Sequence, residues 1–295
     1  MHDWPAIAAN LAETLATSVS PQPSARVHGG CINESYRWES RSGPLFVKVG
    51  AAAVLGAFEA EAAGLNELTR AEAVRIPQVR AVGATGAAAY LVLEWLDFGT
   101  PGNRAEALLG EQLANQHRVS SPRFGWERDN TIGSTPQSND WSSDWVQFFR
   151  ERRLRAQLDL ARHNGHGGRL QERGARLLEL MGAYFSSYRP VPSLLHGDLW
   201  GGNWGADAAG VPVIFDPAVY YGDREADIAM TRLFGGFSNA FYTAYHASWP
   251  LDLAAGTRRT LYNLYHVLNH LNLFGGGYGE QAVSMIDHLL AELGH

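Results

Sequence analysis

The chain has 295 residues, 45% of them hydrophobic, which is enough to bury a core in one large domain or in two lobes sharing a cleft. A formal net charge of −6 argues against the broad basic face that nucleic acid requires. A single cysteine, Cys31, excludes an internal disulfide framework and points to a reducing cytoplasm, with a monomer as the expected state and a dimer left open. The amino-terminal stretch lacks a basic start followed by an apolar core, and no apolar run approaches the ~20 residues of a membrane helix, so neither a secretion signal nor a membrane span is expected.

Residues 3–17 predict a helix, capped by Asp3, tolerant of Pro5 in its first turn, and carrying Ile7, Leu11 and Leu15 every four residues. SVSPQPS ends it. Three short strand-like runs follow, ARVHGG, ESYRWES and PLFVKVG, with turn signals at His28-Gly29-Gly30 and Ser42-Gly43, the outline of an antiparallel meander. From Val54 to Thr69 the period becomes helical, with Leu55, Phe58, Ala62, Leu65 and Leu68 on one face. PQVRAVGA and AAYLVLEWL predict two more strands, the second ending in Glu94-Trp95-Leu96 before the connector DFGTPGN. The rest is mainly helical, over about 104–119, 141–163, 168–188, 223–234, 238–247, 254–274 and 278–293. Between the first two of these, residues 120–141 make a connection longer than usual, either a functional loop or a surface loop stapled by Phe124 and Trp126. A small strand-rich part thus precedes a larger helical one.

Lys48 sits in the middle of an apolar strand, PLFVKVG. As a lone lysine it would be an edge-strand residue with its stem snorkelling to water. Thirteen residues on, however, Glu61 lies on the next helix, and a strand-to-helix ion pair between them would hold the lysine for nucleotide phosphates. Glu59 is the competing partner, on a different helical face. In LLHGDLWGGN, Asp198 and Asn203 are five apart, the spacing of the kinase catalytic loop H-R-D-L-x-x-x-N. There the aspartate accepts a hydroxyl proton and the asparagine holds a metal ion. Thirteen residues later, Asp216 closes the apolar run GVPVIFD, the place of a second metal-binding carboxylate suited to Mg²⁺. Each acid alone could be an ordinary cap or turn; lysine, helical glutamate, D-x4-N and strand-ending aspartate in this order make a constellation. Gly29 and Gly30, in VHGGCINESY, offer backbone amides to phosphate oxygens, although the stretch matches neither G-x-G-x-x-G nor a Walker A loop. Cys31 beside them is a small loop residue or an exposed thiol open to redox control.

The succession HGGCINESY, FVKV, FEAEAAGL, LVLEWL, DNTIGSTPQ, LLHGDLWGGN, DPAVYYGDREADIAM, LFGGF and LYHVLNHLNLFGGGY resembles the fructosamine-3-kinase (ketosamine-3-kinase) family of the protein-kinase-like superfamily, over nearly the whole chain. The chain departs from it at Gly201, where a serine is frequent, and at His28 and Cys31. The resemblance implies a bilobal α+β fold, with a nucleotide-binding lobe over 1–96 and a catalytic and substrate lobe over 97–295. It implies ATP and Mg²⁺, phosphorylation of the sugar 3-hydroxyl of ketosamines, and a labile product whose breakdown leads to deglycation. Carried over, Lys48 binds phosphate and Glu61 holds it, Asp198 is the base, Asn203 and Asp216 are the metal ligands, and Glu94, Trp95 and Leu96 form the adenine hinge. Asp227 would brace the catalytic loop. Trp200 would pack on the sugar ring or anchor the loop from the core, and His266 and His270, one turn apart, would be substrate-cleft or core histidines rather than zinc ligands. Two alternatives stay open: a kinase of the same fold acting on an aminoglycoside or choline, and a nucleotide-binding regulator without turnover.

Overall fold

The computed structural model describes residues 2–27 and 34–295. His28, Gly29, Gly30 and Cys31 therefore lie outside the described residues. Helix α1 (Trp4–Thr14) leads in, with the Asp3 carboxylate accepting from the Ala6 N–H at 3.1 Å, and stops short of residue 17 because Ala16 turns to a φ of 49°. Strands β1 (Ala25–Val27), β2 (Glu34–Ser40), β3 (Gly43–Ala51), β4 (Val79–Thr85) and β5 (Ala88–Glu94) form one antiparallel sheet in the order β1-β2-β3-β5-β4. The first three make the expected meander. Helix α2 (Leu55–Arg70) then carries the chain to the far edge, and the β4–β5 turn brings it back beside β3. Residues 88–93 of β5 are all buried, as befits a strand with neighbours on both sides.

Side-chain alternation on β3 decides what faces the site. Leu45, Val47 and Val49 join Trp38, Tyr90 and Val92 in a core covered by Ile7 and Leu11 of α1. Phe46 and Lys48 point to the opposite face, toward the cleft and α2. Lys48 is thus on an inner strand, hydrogen-bonded to β2 and β5 on either side, not at an edge.

The second part is mainly helical. It comprises α3 (Asn103–His117), α4 (Trp145–Phe149), α5 (Ala156–His163), α6 (Arg169–Leu180), α7 (Glu225–Met230), α8 (Asn239–Ser248), α9 (Ala255–Phe274) and α10 (Tyr278–Glu292). Short strands interleave with these: β6 (Phe98–Gly99), β7 (Asn130–Ile132), β8 (Thr135–Gln137), β9 (Ser193–Leu195), β10 (Trp204–Asp207), β11 (Pro212–Ile214) and β12 (Tyr220–Gly222). Helix α9 is buried almost all round from Leu261 to Asn269, the signature of a helix through the centre of a lobe.

Three expected helices come out differently. The one over 141–163 begins at Trp145, because Asp144 caps it through the Gln147 N–H at 2.8 Å, and Arg150–Arg155 widens into a π-helix. That extra residue per turn carries Arg153 inward, where its guanidinium lies 4.1 Å from the Tyr220 ring centre. The helix over 168–188 tightens after Leu180 into a 3₁₀ turn. The one over 223–234 is cut to α7, where the Thr231 hydroxyl donates back to the Ile228 carbonyl at 2.8 Å. Among the described residues, no helix is long and apolar enough to cross a membrane.

Candidate active site

A cleft of about 1180 Å³ opens between the sheet and the helical part. Lys48, Glu61, Glu94, Trp95, Leu96, Asp198, Trp200, Asn203, Asp216, His266 and His270 all line it. Lys48 and Asp216, 168 positions apart in sequence, therefore share a single cavity.

On the sheet side, the Lys48 ammonium donates to Glu61 Oε1 at 2.7 Å and to Asp216 Oδ1 at 2.6 Å. Burial alone would push the lysine pKa down, but the Asp216 and Glu61 carboxylates more than reverse this, so Lys48 stays charged. Glu59 is exposed and takes no part. At the end of β5, Glu94 donates its backbone N–H to the Gln78 carbonyl (2.9 Å) and accepts the Gln78 N–H on its carboxylate (3.1 Å). The end of β5 is tied down at that point, with Trp95 and Leu96 left along the cleft.

The loop after β9 is held from below. Asp227, 1% exposed on α7, accepts the His196 N–H on Oδ2 (2.7 Å) and the Gly197 N–H on Oδ1 (2.9 Å). His117 Nε2 donates to the same Oδ2 at 3.1 Å while its Nδ1 accepts from the Tyr245 hydroxyl at 2.8 Å. Asp227 thus braces the loop through two backbone amides. Gly197 has a φ of 83°, and an added Cβ would stand 2.1 Å from the Ala218 carbonyl oxygen, so only glycine fits there. Gly201 is under no such demand: its nearest neighbour to an added Cβ is 3.6 Å away.

Above this support stand the two acids. Asn203 donates from Nδ2 to the Asp198 carbonyl (2.9 Å) and to Asp198 Oδ2 (3.1 Å). Burial, together with the nearby Asp216 carboxylate, raises the Asp198 pKa well above the ordinary carboxylate range, against the pull of that Asn203 bond. Asp216 follows β11 with a φ of 56°, a left-handed conformation uncommon outside glycine that turns the residue off the strand. With Asn203 Nδ2 and Asp216 Oδ1 engaged, Asn203 Oδ1 and Asp216 Oδ2 remain as oxygen donors. Such a hard-oxygen pair fits Mg²⁺ with phosphate and water completing its shell.

Trp200 is half-buried, neither core anchor nor free surface, and its indole lies against Gly202, where an added Cβ would come within 2.4 Å of the ring. The residues 120–141 are not a structureless loop. They include the β7–β8 hairpin, whose tip, Thr131 to Ser134, lines the cleft. Its base is pinned by Asn130 Nδ2 donating to the Val219 carbonyl (2.8 Å) and by the Tyr265 hydroxyl donating to Gln137 Oε1 (2.6 Å). The unusual length of that connection, and the place of DNTIGSTPQ in the family resemblance, hinted at these wall residues. Phe215, Phe234, Phe274 and Tyr278 also line the cleft, and nothing in their spacing marked them.

Buried imidazoles give the protein a pH dependence. Burial lowers the pKa values of His117 and His196, and takes that of His266 to about 3. As pH falls below about 6.5, the unfolded chain takes up protons that these three rings refuse, so stability is lost. Asp223, raised to about 7 by burial and the neighbouring Glu225, acts in the opposite sense, because the folded state binds its proton first, and burial sets Asp198 and Glu61 in that same sense. Each net proton is worth roughly 1.4 kcal/mol per pH unit, so the contribution of one ring is read by difference. In His266→Phe the ring that refuses the proton is gone, so the melting temperature of the variant relative to the parent is expected to rise as pH goes from 7.5 to 5.5; a constant difference contradicts the burial argument.

The family model described as fructosamine kinase matches residues 3–292. The probable ketoamine kinase slr1563 of Synechocystis is 43% identical over 291 residues, covering 97% of each chain. The chloroplastic protein-ribulosamine 3-kinase of Arabidopsis thaliana is 43% identical over 288 residues, covering 96% of this chain and 86% of the relative. The crystal structure of a candidate fructosamine-3-kinase from Haemophilus somnus 129PT has a TM-score of 0.87 at 27% identity, with 97% of each chain covered. Both parts of the molecule are included in these matches.

Proposed function

The chain belongs to the fructosamine kinase family and is an ATP-dependent kinase of ketosamines, and we propose that it phosphorylates the sugar 3-hydroxyl with Asp198 as the base. The observation that carries this reading is the convergence of Lys48, Asp198, Asn203 and Asp216 on one cleft. In this reading the lobes divide near residue 96. Adenine lies along Glu94, Trp95 and Leu96, and the phosphates reach Lys48, which Glu61 keeps in place. Gly29 and Gly30, outside the described residues, would offer the phosphates their backbone amides, as the sequence between the first two strands suggests.

Asn203 and Asp216 would hold Mg²⁺ through their remaining oxygens, and the ion, when bound, neutralises phosphate charge. Asn203 Nδ2 engages one Asp198 oxygen, which turns the other toward the substrate. The hydroxyl gives its proton to Asp198 as its oxygen bonds to the γ-phosphorus, and ADP leaves with the electrons of the broken bond. A carboxylate with a raised pKa is a better acceptor for that proton than an ordinary one. Trp200 packs on the sugar ring, with His266 and His270 on the same substrate side. The 3-phosphorylated product is labile and releases its amine, so the reaction serves deglycation in the cytoplasm, with the protein acting as a monomer.

An ATP-consumption assay on ribulose- and fructose-linked lysines, with choline and an aminoglycoside as controls, tests this. Transfer to the ketosamines is expected; transfer to the controls alone would overturn the 3-hydroxyl reading. Trp200→Ala is expected to raise the ketosamine KM about tenfold while the KM for ATP stays within about twofold, the loss of one aromatic face against the sugar. Equal rises in both would move Trp200 from substrate contact to loop support.

A further inference from the structure

Helix α2 carries Glu61, so the place of that helix decides whether Glu61 reaches Lys48. Phe58, Ala62, Leu65 and Leu68 pack α2 into the core with Leu91 and Leu93 of β5. Apolar packing is non-directional. A directional contact comes from the helical part, where the Tyr221 hydroxyl donates to Glu67 Oε1 at 2.7 Å across 154 positions of sequence. Glu67 lies less than two turns beyond Glu61 on the same helix. Burial and the Glu67 carboxylate raise the Tyr221 pKa, so the phenol keeps its proton and stays a donor.

The backbone of Tyr221 is fixed on both sides. It pairs with Leu194 of β9, and it exchanges two N–H···O bonds with Gly125, at 2.8 and 2.9 Å. Strand β9 runs directly into His196, Gly197 and Asp198. One residue therefore joins the strand that feeds Asp198 to the helix that carries Glu61. The surroundings fit such a tie. Gly64, between the two glutamates, lets α2 close on the segment after Asp216, for an added Cβ would meet the Val219 side chain at 3.2 Å. Past the end of α2, the Arg75 guanidinium pairs with Asp207, and the Arg75 carbonyl accepts the Ile214 N–H at 3.2 Å.

Lys48 is shared between Glu61 and Asp216. If α2 withdrew Glu61, the ammonium would be left on Asp216 alone, the carboxylate assigned above to the metal. In kinases the lysine–glutamate pair and the metal-binding aspartate must both be in place, and the position of the helix is what controls the pair. Resting on the assignment of Lys48 and Glu61 to the nucleotide phosphates, we propose that Tyr221 is a positioning residue that, through Glu67, holds α2 where Glu61 stays on Lys48. The phosphate site then stands assembled before nucleotide arrives. Neither Tyr221 nor Glu67 lines the cleft, so the effect passes through the helix and not through contact with ATP or sugar.

Steady-state kinetics with ATP and a fructose-linked lysine, with melting temperatures measured alongside, test this. Tyr221→Phe removes only the hydroxyl and is expected to raise the KM for ATP about fivefold, with the ketosamine KM within about twofold. Glu67→Ala should do the same, whereas Glu67→Gln, whose amide oxygen still accepts from the phenol, should stay near the parent. In a Glu61→Ala background no carboxylate is left to position, and Tyr221→Phe is expected to add less than about twofold. The positioning role is overturned by a parental ATP KM in Tyr221→Phe, by a fivefold rise that persists in the Glu61→Ala background, or by equal rises for both substrates with a matching drop in melting temperature. An unchanged ATP KM in Glu61→Ala itself would instead strike the phosphate assignment on which the proposal rests.

Discussion

Asp198→Asn is expected to reduce turnover by about 10³- to 10⁴-fold while nucleotide affinity changes by less than about threefold. The substitution keeps the shape of the side chain and removes its ability to accept a proton. Asn203 can still donate to the residue-198 carbonyl, a contact of 2.9 Å that does not involve the carboxylate, so the loop keeps one of its two ties. On the sheet side, Lys48 is bonded to Glu61 and to Asp216 rather than to Asp198. Turnover and nucleotide binding therefore separate, and a variant retaining more than about a tenth of parental turnover would mean that another group takes the proton. The pH profile carries the same information. Burial and the Asp216 carboxylate raise the Asp198 pKa, and only the deprotonated form is a base, so kcat/KM should decline on the acid side at a pH above the ordinary carboxylate range.

Asp227→Ala is expected to cost about 3–5 kcal/mol of stability, read from urea unfolding at pH 7.5. Three donors lose their acceptor at once: the His196 and Gly197 amides and His117 Nε2. His117 and His196 are fully buried, and little water can reach the site to replace the carboxylate. Although burial favours protonating Asp227, the His117 contact and the charge around it hold its pKa below the usual range. Its contribution is therefore complete above the unfolded carboxylate pKa and is lost only as pH falls through the lower folded value. Turnover should drop as well, because Gly197 precedes Asp198 and its amide sets the angle of the loop. His117→Asn removes one donor of the three and is expected to cost less. A loss below about 1 kcal/mol in Asp227→Ala would show that the loop holds its shape without this brace.

How far the site could be read in advance depended on how local each relation is. Asp198 and Asn203 are five positions apart in one loop, a separation short enough for the asparagine to reach the aspartate, and the structure has Nδ2 3.1 Å from Oδ2. Lys48 and Glu61 are separated by a strand end, a 3₁₀ turn and less than two turns of helix, and strand alternation with helical period is enough to place them on facing surfaces. The Glu59 alternative fell for the same reason, since two residues along a helix face apart. The hairpin at 130–137 resisted because its three-residue strands, NTI and TPQ, have no alternation to detect; buried side-chain bonds from Asn130 and Gln137 hold them instead.

The sequence by itself determined the elements of the sheet lobe, the run of helices after it, and the order of the lysine, glutamate, aspartate and asparagine along the chain. Periodicity and loop spacing carry those relations because backbone geometry repeats over a few residues. Only the tertiary structure decided that Asp216 shares Lys48 with Glu61 across 168 positions, that His117 joins the His196 and Gly197 amides on the Asp227 carboxylate, and that Phe234, Phe274 and Tyr278 gather around His270. No local rule links such residues. They meet because the central helix α9 and the packed lobe around it leave one arrangement in which the buried charges and imidazoles find partners.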